Sequence, residues 1–259
     1  MHVNRKLWKP PFVEFPSWLC PSCQSATLAL DKDSLKFRET GPSAAAQEHD
    51  AWEPEWIKER FVGLLVCQNS TCGDVVAISG ETIHVEDHDP DLQTEDWQRQ
   101  FVPHSLFKAP PVFAISEGCP SIVAVELHKA FSLIWSDRGS CGNRLRSAVE
   151  ALLTDRKISR TTLNKKRKRV NINLHDRIVK FEKVNKAAAD YLLAIKWLGN
   201  TGSHAGIDEI ELDDLLHGFE MFELVVDILY DNRDKRLRKV AKKITERKGR
   251  PVKSRQDPF

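Results

Sequence analysis

The chain has 259 residues, with 39 Lys and Arg against 37 Asp and Glu, a formal net charge of +2 and an ordinary apolar fraction. That length suffices for one large domain or two smaller ones. No run of eighteen apolar residues occurs, which excludes a membrane-spanning helix, and the opening MHVNRKLWKPPF lacks the apolar core of a secretory signal. Six cysteines without such a signal point to a reducing, cytoplasmic setting, in which thiols bind metal more readily than they pair. The near-neutral average hides a polarised chain, because basic residues gather towards the C-terminus.

Residues 1–116 read as a β region. Pro10, Pro11 and Pro16 keep its start extended. Cys20-Pro-Ser-Cys23 and Cys67-Gln-Asn-Ser-Thr-Cys72-Gly73 each place two thiols on a tight turn, the arrangement that brings four sulfurs to one tetrahedral zinc. Arg60–Val66 and Val75–Ile78 are β-prone runs flanking the second turn, as in the hairpin of a zinc ribbon, and Leu35–Arg38 supplies a further strand. The metal would be structural, since Cys20, Cys23, Cys67 and Cys72 leave no open coordination position. The separation of the two pairs is longer than in a compact ribbon, so incidental cysteines are the alternative. The intervening Gly41–Asp50 and Trp52–Trp56 read as a surface excursion. Residues 82–118, acidic and then rich in aromatics and proline, read as a connector, with a solvated acidic turn over 86–91.

From Pro120 the apolar period becomes helical. Val123, Leu127, Ala130 or Phe131, and Ile134 form one stripe, and Gly139 and Gly142 are expected to interrupt it. A second helix covers Arg144–Leu153, a third opens at Asn173, a fourth runs from Glu182 to Leu198, and a fifth begins among the acids of 208–214. Between the second and third lies Lys165-Lys166-Arg167-Lys168-Arg169, read as a flexible loop that either contacts phosphate or is simply solvated. After Tyr230 the chain is strongly basic, and Leu237, Val240 and Ile244 mark an amphipathic helix within it. Gly199, Asn200 and Gly202 are read as ending the fourth helix, so that Asn200, Ser203 and His204 stand on the following loop.

The string GNxxxH after a helix ending in IKWL, with RxxxEALL in the second helix, resembles the bacterial family called domain of unknown function 4145. That family is similar to the HEPN superfamily (higher eukaryote and prokaryote nucleotide-binding). The resemblance covers about residues 119–232. It implies an all-α HEPN-like bundle over 117–232, which with the zinc-ribbon-like β region (1–116) and the basic tail (233–259) makes an α+β chain. It also implies pairing with a second copy, both loops facing the dimer cleft. Active HEPN ribonucleases carry a motif resembling RNxxxH, whose arginine stabilises phosphate charge while the histidine moves the 2′-hydroxyl proton. Here Asn200 and His204 match, but Gly199 stands at the arginine position. A relocated cation would have to come from Lys196, Arg144 or Arg146.

Two functional classes follow. One is a non-catalytic or weakly catalytic module binding RNA or a nucleotide, within a bacterial antiviral defence or restriction system and with a defence-system protein partner. The other is a metal-independent endoribonuclease using His204. A protein-interaction scaffold with no nucleic-acid role is a third possibility.

Overall fold

In the computed structural model, which describes residues 3–89, 94–201, 210–230 and 233–249, an antiparallel sheet precedes a set of packed helices. Strands β1 (Leu28–Glu39), β2 (Glu59–Cys67), β3 (Val75–Asp89) and β4 (Thr94–Phe107) neighbour one another in chain order. On β2 the alternation is regular: Phe61, Gly63, Leu65 and Cys67 face inward, while Val62 and Leu64 face solvent. The surface excursion between β1 and β2 holds helix α1 (Gly41–Ala46) and a 3₁₀ turn, Pro54–Trp56. The stretch read as a connector is largely strand. Backbone pairing of β3 with β4 runs from Ala77 opposite Phe107 to Asp89 opposite Thr94. The acidic turn expected at 86–91 therefore belongs to β3 as far as Asp89; residues 90–93 lie outside the described residues.

The helices are α2 (Ser121–Phe131), α3 (Arg138–Asp155), α4 (Leu174–Glu182), α5 (Lys186–Thr201), α6 (Leu212–Tyr230) and α7 (Arg233–Arg247). Helix α3 starts earlier than expected because Asp137 caps it, its carboxylate accepting from the Ser140 amide at 2.8 Å. Gly139 and Gly142 thus lie inside the helix instead of interrupting it. Asn173 caps α4 in the same way, accepting from the Asp176 amide at 2.8 Å. The core of this half is a contiguous apolar cluster in which Leu127, Phe131, Leu145, Leu152, Leu192, Ile195, Phe219 and Phe222 are essentially inaccessible. No helix among the described residues is long and apolar enough to cross a membrane.

The N-terminal segment straps the sheet to the helices. Phe12 exchanges backbone hydrogen bonds with Phe101 of β4 (2.9 and 2.7 Å), extending the chain as the prolines suggest. Trp8 and Trp18 pack with Trp135, ring centroids 5.5 and 5.7 Å from it. The Trp135 and Trp18 indole N–H groups donate to the carbonyls of Trp8 (3.0 Å) and Leu7 (2.7 Å), so burial leaves neither unpaired. Arg5 grips Glu220 of α6 with two hydrogen bonds (2.7 and 2.8 Å) and reaches Asp213 at 3.2 Å. The hydrogen bond from Arg5 holds the Glu220 carboxyl below its usual range. That contribution is therefore present above the ordinary glutamate pKa and is lost as the pH falls through the lowered value.

Trp8 is only 1 % exposed and touches both halves. Trp8→Ala should destabilise the protein by about 3–5 kcal/mol, the usual range for emptying a buried tryptophan site. Urea denaturation followed by far-ultraviolet circular dichroism measures this; an effect below about 1 kcal/mol would mean that the strap does not bear on the fold.

Candidate functional site

The two cysteine turns meet at one end of the sheet. In the first, Gln24 takes a positive φ of 47° and its amide donates to the Cys20 carbonyl at 3.1 Å, folding Cys23 back beside Cys20. In the second, the Cys72 and Gly73 amides both donate to the Asn69 carbonyl (2.9 and 3.0 Å), and Gly73 sits at φ 58°, which a side chain would strain. Register joins the turns, because Leu28 at the start of β1 lies opposite Cys67 at the end of β2. The long separation of the cysteine pairs is thus the length of the β1–β2 hairpin, which leaves one turn and returns at the other.

All four sulfurs lie within 4.8 Å of one another; Cys20–Cys72 and Cys23–Cys67 are 3.9 and 3.7 Å apart. A tetrahedron with Zn–S bonds of about 2.3 Å has edges of about 3.8 Å. A disulfide would need about 2.05 Å. The thiols therefore fit a four-coordinate metal ion and not a cross-link. Around them, the Asn69 amide donates to the Cys67 sulfur at 3.4 Å. Lys108 reaches Ser22 at 3.0 Å and Asp74 at 3.4 Å, and Ser22 donates to Asp74, which bridges the two turns.

Hydrogen bonds from the Ser25 side chain and backbone lower the Cys23 thiol to about 6. The Asn69 amide also favours ionisation of Cys67, but burial and the neighbouring thiols outweigh it and push Cys67 up to about 12. Cys72 is raised as well: burial and the Cys20 thiol overcome the Asp74 amide. The four thiols thus differ in how readily they ionise, and a cation at the centre would favour the thiolate of each. Cys119 and Cys141 stand apart from this cluster. Burial pushes Cys119 up to about 11, and the Cys141 thiol, also raised by burial, donates to the Ala130 carbonyl at 3.3 Å.

In the helical half, His204 and Ser203 lie outside the described residues. Asn200 does not stand on a loop: α5 continues through it to Thr201, and Gly199 is helical. The reason for this glycine is packing. A Cβ at Gly199 would fall 2.8 Å from the Gly142 carbonyl oxygen and 2.8 Å from the Arg146 Cβ, so α3 and α5 approach each other through two glycines. Of the three candidate cations, Arg146 is the one brought beside Gly199; it pairs with Glu150 at 3.5 Å, and its buried Nε has no hydrogen bond among the described residues. Arg144 instead pairs with Glu126 at 3.3 Å. Lys196 is buried, its ammonium 3.2 Å from the Trp197 ring centre.

Asn200 lines an open, mostly apolar groove of about 580 Å³ between α5 and α6, together with Trp197, Asp214, His217 and Met221. Trp197 and His217 were not singled out from sequence. The signal for His217 was its four-residue spacing from Met221 on one helical face, which reads as ordinary amphipathicity until the facing helix is known.

The basic run 165–169, read as a flexible loop, is the turn and first strand residue of a hairpin between β5 (Thr161–Leu163) and β6 (Arg169–Asn171). The Asn164 side chain accepts from the Lys166 and Lys168 amides, both at 2.9 Å, and Arg167 takes φ 56°. Lys165, Lys166, Arg167, Lys168 and Arg169 are all exposed. The hairpin base is held by Arg177 of α4, which donates to the Ile158 carbonyl (3.1 Å) and the Thr154 hydroxyl (3.0 Å).

Two family models match the chain, and both describe domains of unknown function: DUF8608 over residues 12–108 and DUF4145 over residues 128–247. The first covers the sheet and its four cysteines; the second covers the last turn of α2 and all of α3–α7. No curated protein and no solved structure matches the chain.

Zinc titrated into metal-free protein should bind at one ion per chain and be lost in Cys67→Ser but retained in Cys119→Ser. At pH 7.5 binding should release protons, because burial and the neighbouring thiols push Cys67 and Cys72 up. Calorimetry in buffers of different ionisation enthalpy measures the release; none at all would contradict the thiol assignment. Separately, Gly199→Ala should destabilise the protein by about 1–3 kcal/mol despite the better helix propensity of alanine, because the Gly142 carbonyl cannot give way. A Tm that rises in this variant would refute the close crossing.

Proposed function

We propose that the chain is a HEPN-like module that binds RNA or a nucleotide without efficient catalysis, its β region held by a structural zinc at Cys20, Cys23, Cys67 and Cys72. What carries the non-catalytic reading is the crossing of α3 and α5. At the position where active HEPN ribonucleases resemble one another in an arginine, Gly199 abuts the Gly142 carbonyl, and no side chain fits without moving a helix. The zinc, when bound, supplies cross-linking charge alone, since four sulfurs fill its coordination shell. Binding would use the exposed hairpin 165–169, whose five cations are spread by an ordered turn and can follow a phosphate backbone. Pairing of two copies, a setting in bacterial defence and a protein partner there rest on the resemblance alone.

The endoribonuclease reading keeps one specific observation in its favour. The Arg146 Cβ lies against Gly199, so a guanidinium from α3 could serve where α5 offers none. In that reading Arg146 would stabilise phosphate charge and His204 would move the proton.

One set of measurements separates the two. Single-stranded RNA binding, followed by fluorescence anisotropy, should weaken with salt, and replacing Lys165, Lys166, Arg167, Lys168 and Arg169 by alanine should flatten the log–log slope by up to about 3.5, about 0.7 per contact. An unchanged slope would remove the hairpin from the footprint. The same samples should leave the RNA intact. Cleavage by the wild type that disappears in both His204→Ala and Arg146→Ala, at unchanged Tm, would establish the endoribonuclease instead.

A further inference from the structure

Helix α7 has a composition opposite to that of the face it follows. Over Arg233–Arg247 it carries eight basic and two acidic residues, and Leu237, Val240 and Ile244 share one side of it. Among the described residues it lies along no other element, and every described side chain on it is exposed. Helix α6 carries five acidic residues and no Lys or Arg. On its outward stripe, His217, Met221, Leu224 and Ile228, the first two line the 580 Å³ groove together with Trp197 of α5, and Leu224 and Ile228 continue the same face beyond it. Leu224, Ile228, Trp197, Leu237, Val240 and Ile244 are each between 37 and 56 % exposed. Asp214 and Asp227, at either end of the stripe, make no ion pair among the described residues, whereas Asp213 and Glu220 are occupied by Lys9 and Arg5.

We infer that α7 of one chain docks across the α5–α6 face of a second copy, and that the contact is reciprocal. The two surfaces are complementary in charge, and each carries an exposed apolar stripe. The apolar stripe of α7 meets Trp197, Met221, Leu224 and Ile228, while its flanking lysines and arginines face Asp214 and Asp227. Helix α7 is long enough for the contact: its fifteen residues span about 22 Å, more than the roughly 16 Å from His217 to Ile228. Both halves of the contact belong to one sequence, so a second copy covers two exposed faces by a single two-fold operation. Within one chain only residues 231–232 separate α6 from α7, at the short limit for reversing a helix pair, and α7 is not folded back. Apolar burial supplies the affinity and the opposed charges select the partner. The inference shares with the preceding reading only the presence of a second copy and does not depend on RNA.

The test is the mass of the full chain, freed of nucleic acid by a high-salt wash and measured by light scattering after size exclusion. The wild type should be a dimer. The double variant Leu237→Asp, Ile244→Asp and the single variant Leu224→Arg alter exposed side chains, so folding, checked by circular dichroism, should be unaffected. Each should weaken dimerisation at least tenfold, the loss expected when one or more buried apolar side chains are removed from a contact. An equimolar mixture of the two variants should recover dimer, because one intact helix then meets one intact face. A monomeric wild type, dimers that persist in both variants, or a mixture that stays monomeric would each overturn the assignment, and none of these outcomes bears on whether the protein binds RNA.

Discussion

Four sulfur atoms within 4.8 Å of one another set the terms for the β half of the molecule. Water would separate four such thiolates, and a protein that holds them together must leave most of them protonated or supply a cation. The opposed behaviour of Cys23, lowered to about 6, and Cys67, raised to about 12, is this constraint at the level of single groups. The sheet is built so that the constraint cannot be relaxed. Cys67 ends β2, the first turn leads directly into β1, and the pairing of Leu28 with Cys67 fixes one turn against the other. A shift of one residue in that register would reverse the face of every side chain on β1. It would move Leu28 out of the core and carry the first turn away from the second.

The helical half depends on a different kind of closeness. Where Gly142 and Gly199 face each other, two helices meet at backbone distance, and the space that a side chain would need is filled by a carbonyl. On the proposed HEPN-like reading, the same contact leaves no room for a cation at that position of α5, and Arg146 of α3 lies beside it. Packing and chemistry are therefore coupled at one glycine, so a substitution there tests both at once.

Much of this architecture could be read in the sequence. The β-prone runs around Cys67 and Cys72, the shift to helical period at Pro120 and the stripes of α2 and α6 became a sheet followed by helices, with the four expected cysteines together. What escaped the reading has physical causes. In the outer part of the β3–β4 hairpin, Glu86, Asp87 and Asp89 interrupt the apolar alternation that marks a strand, although their backbone is paired. Glycines at 139, 142 and 199 looked like helix breakers because local propensity knows nothing of a neighbouring helix. The run 165–169 looked featureless because its order comes from the Asn164 side chain and from Arg177, distant in sequence. The aromatic strap was reduced to its prolines, since nothing in Trp8 or Trp18 announces Trp135. His204, on which the catalytic question turns, lies outside the described residues.

Charge follows the same logic on a larger scale. A net charge of +2 is the sum of segments that are far from neutral, and their positions matter more than their total. Acids concentrate on α6, where Arg5 and Lys9 from the N-terminal strap neutralise part of them and hold Glu220 and Asp213 ionised. Bases concentrate on the 165–169 hairpin and on α7, at opposite ends of the α4–α6 segment in sequence. The two basic groups differ in kind. The hairpin presents its cations with no apolar stripe, as suits a phosphate chain that is wet and interchangeable. Helix α7 carries its cations around an apolar stripe, as suits a protein face that must be buried to be recognised. A polyanion would satisfy the first surface completely and leave the second half exposed, which is why the two surfaces are assigned different occupants.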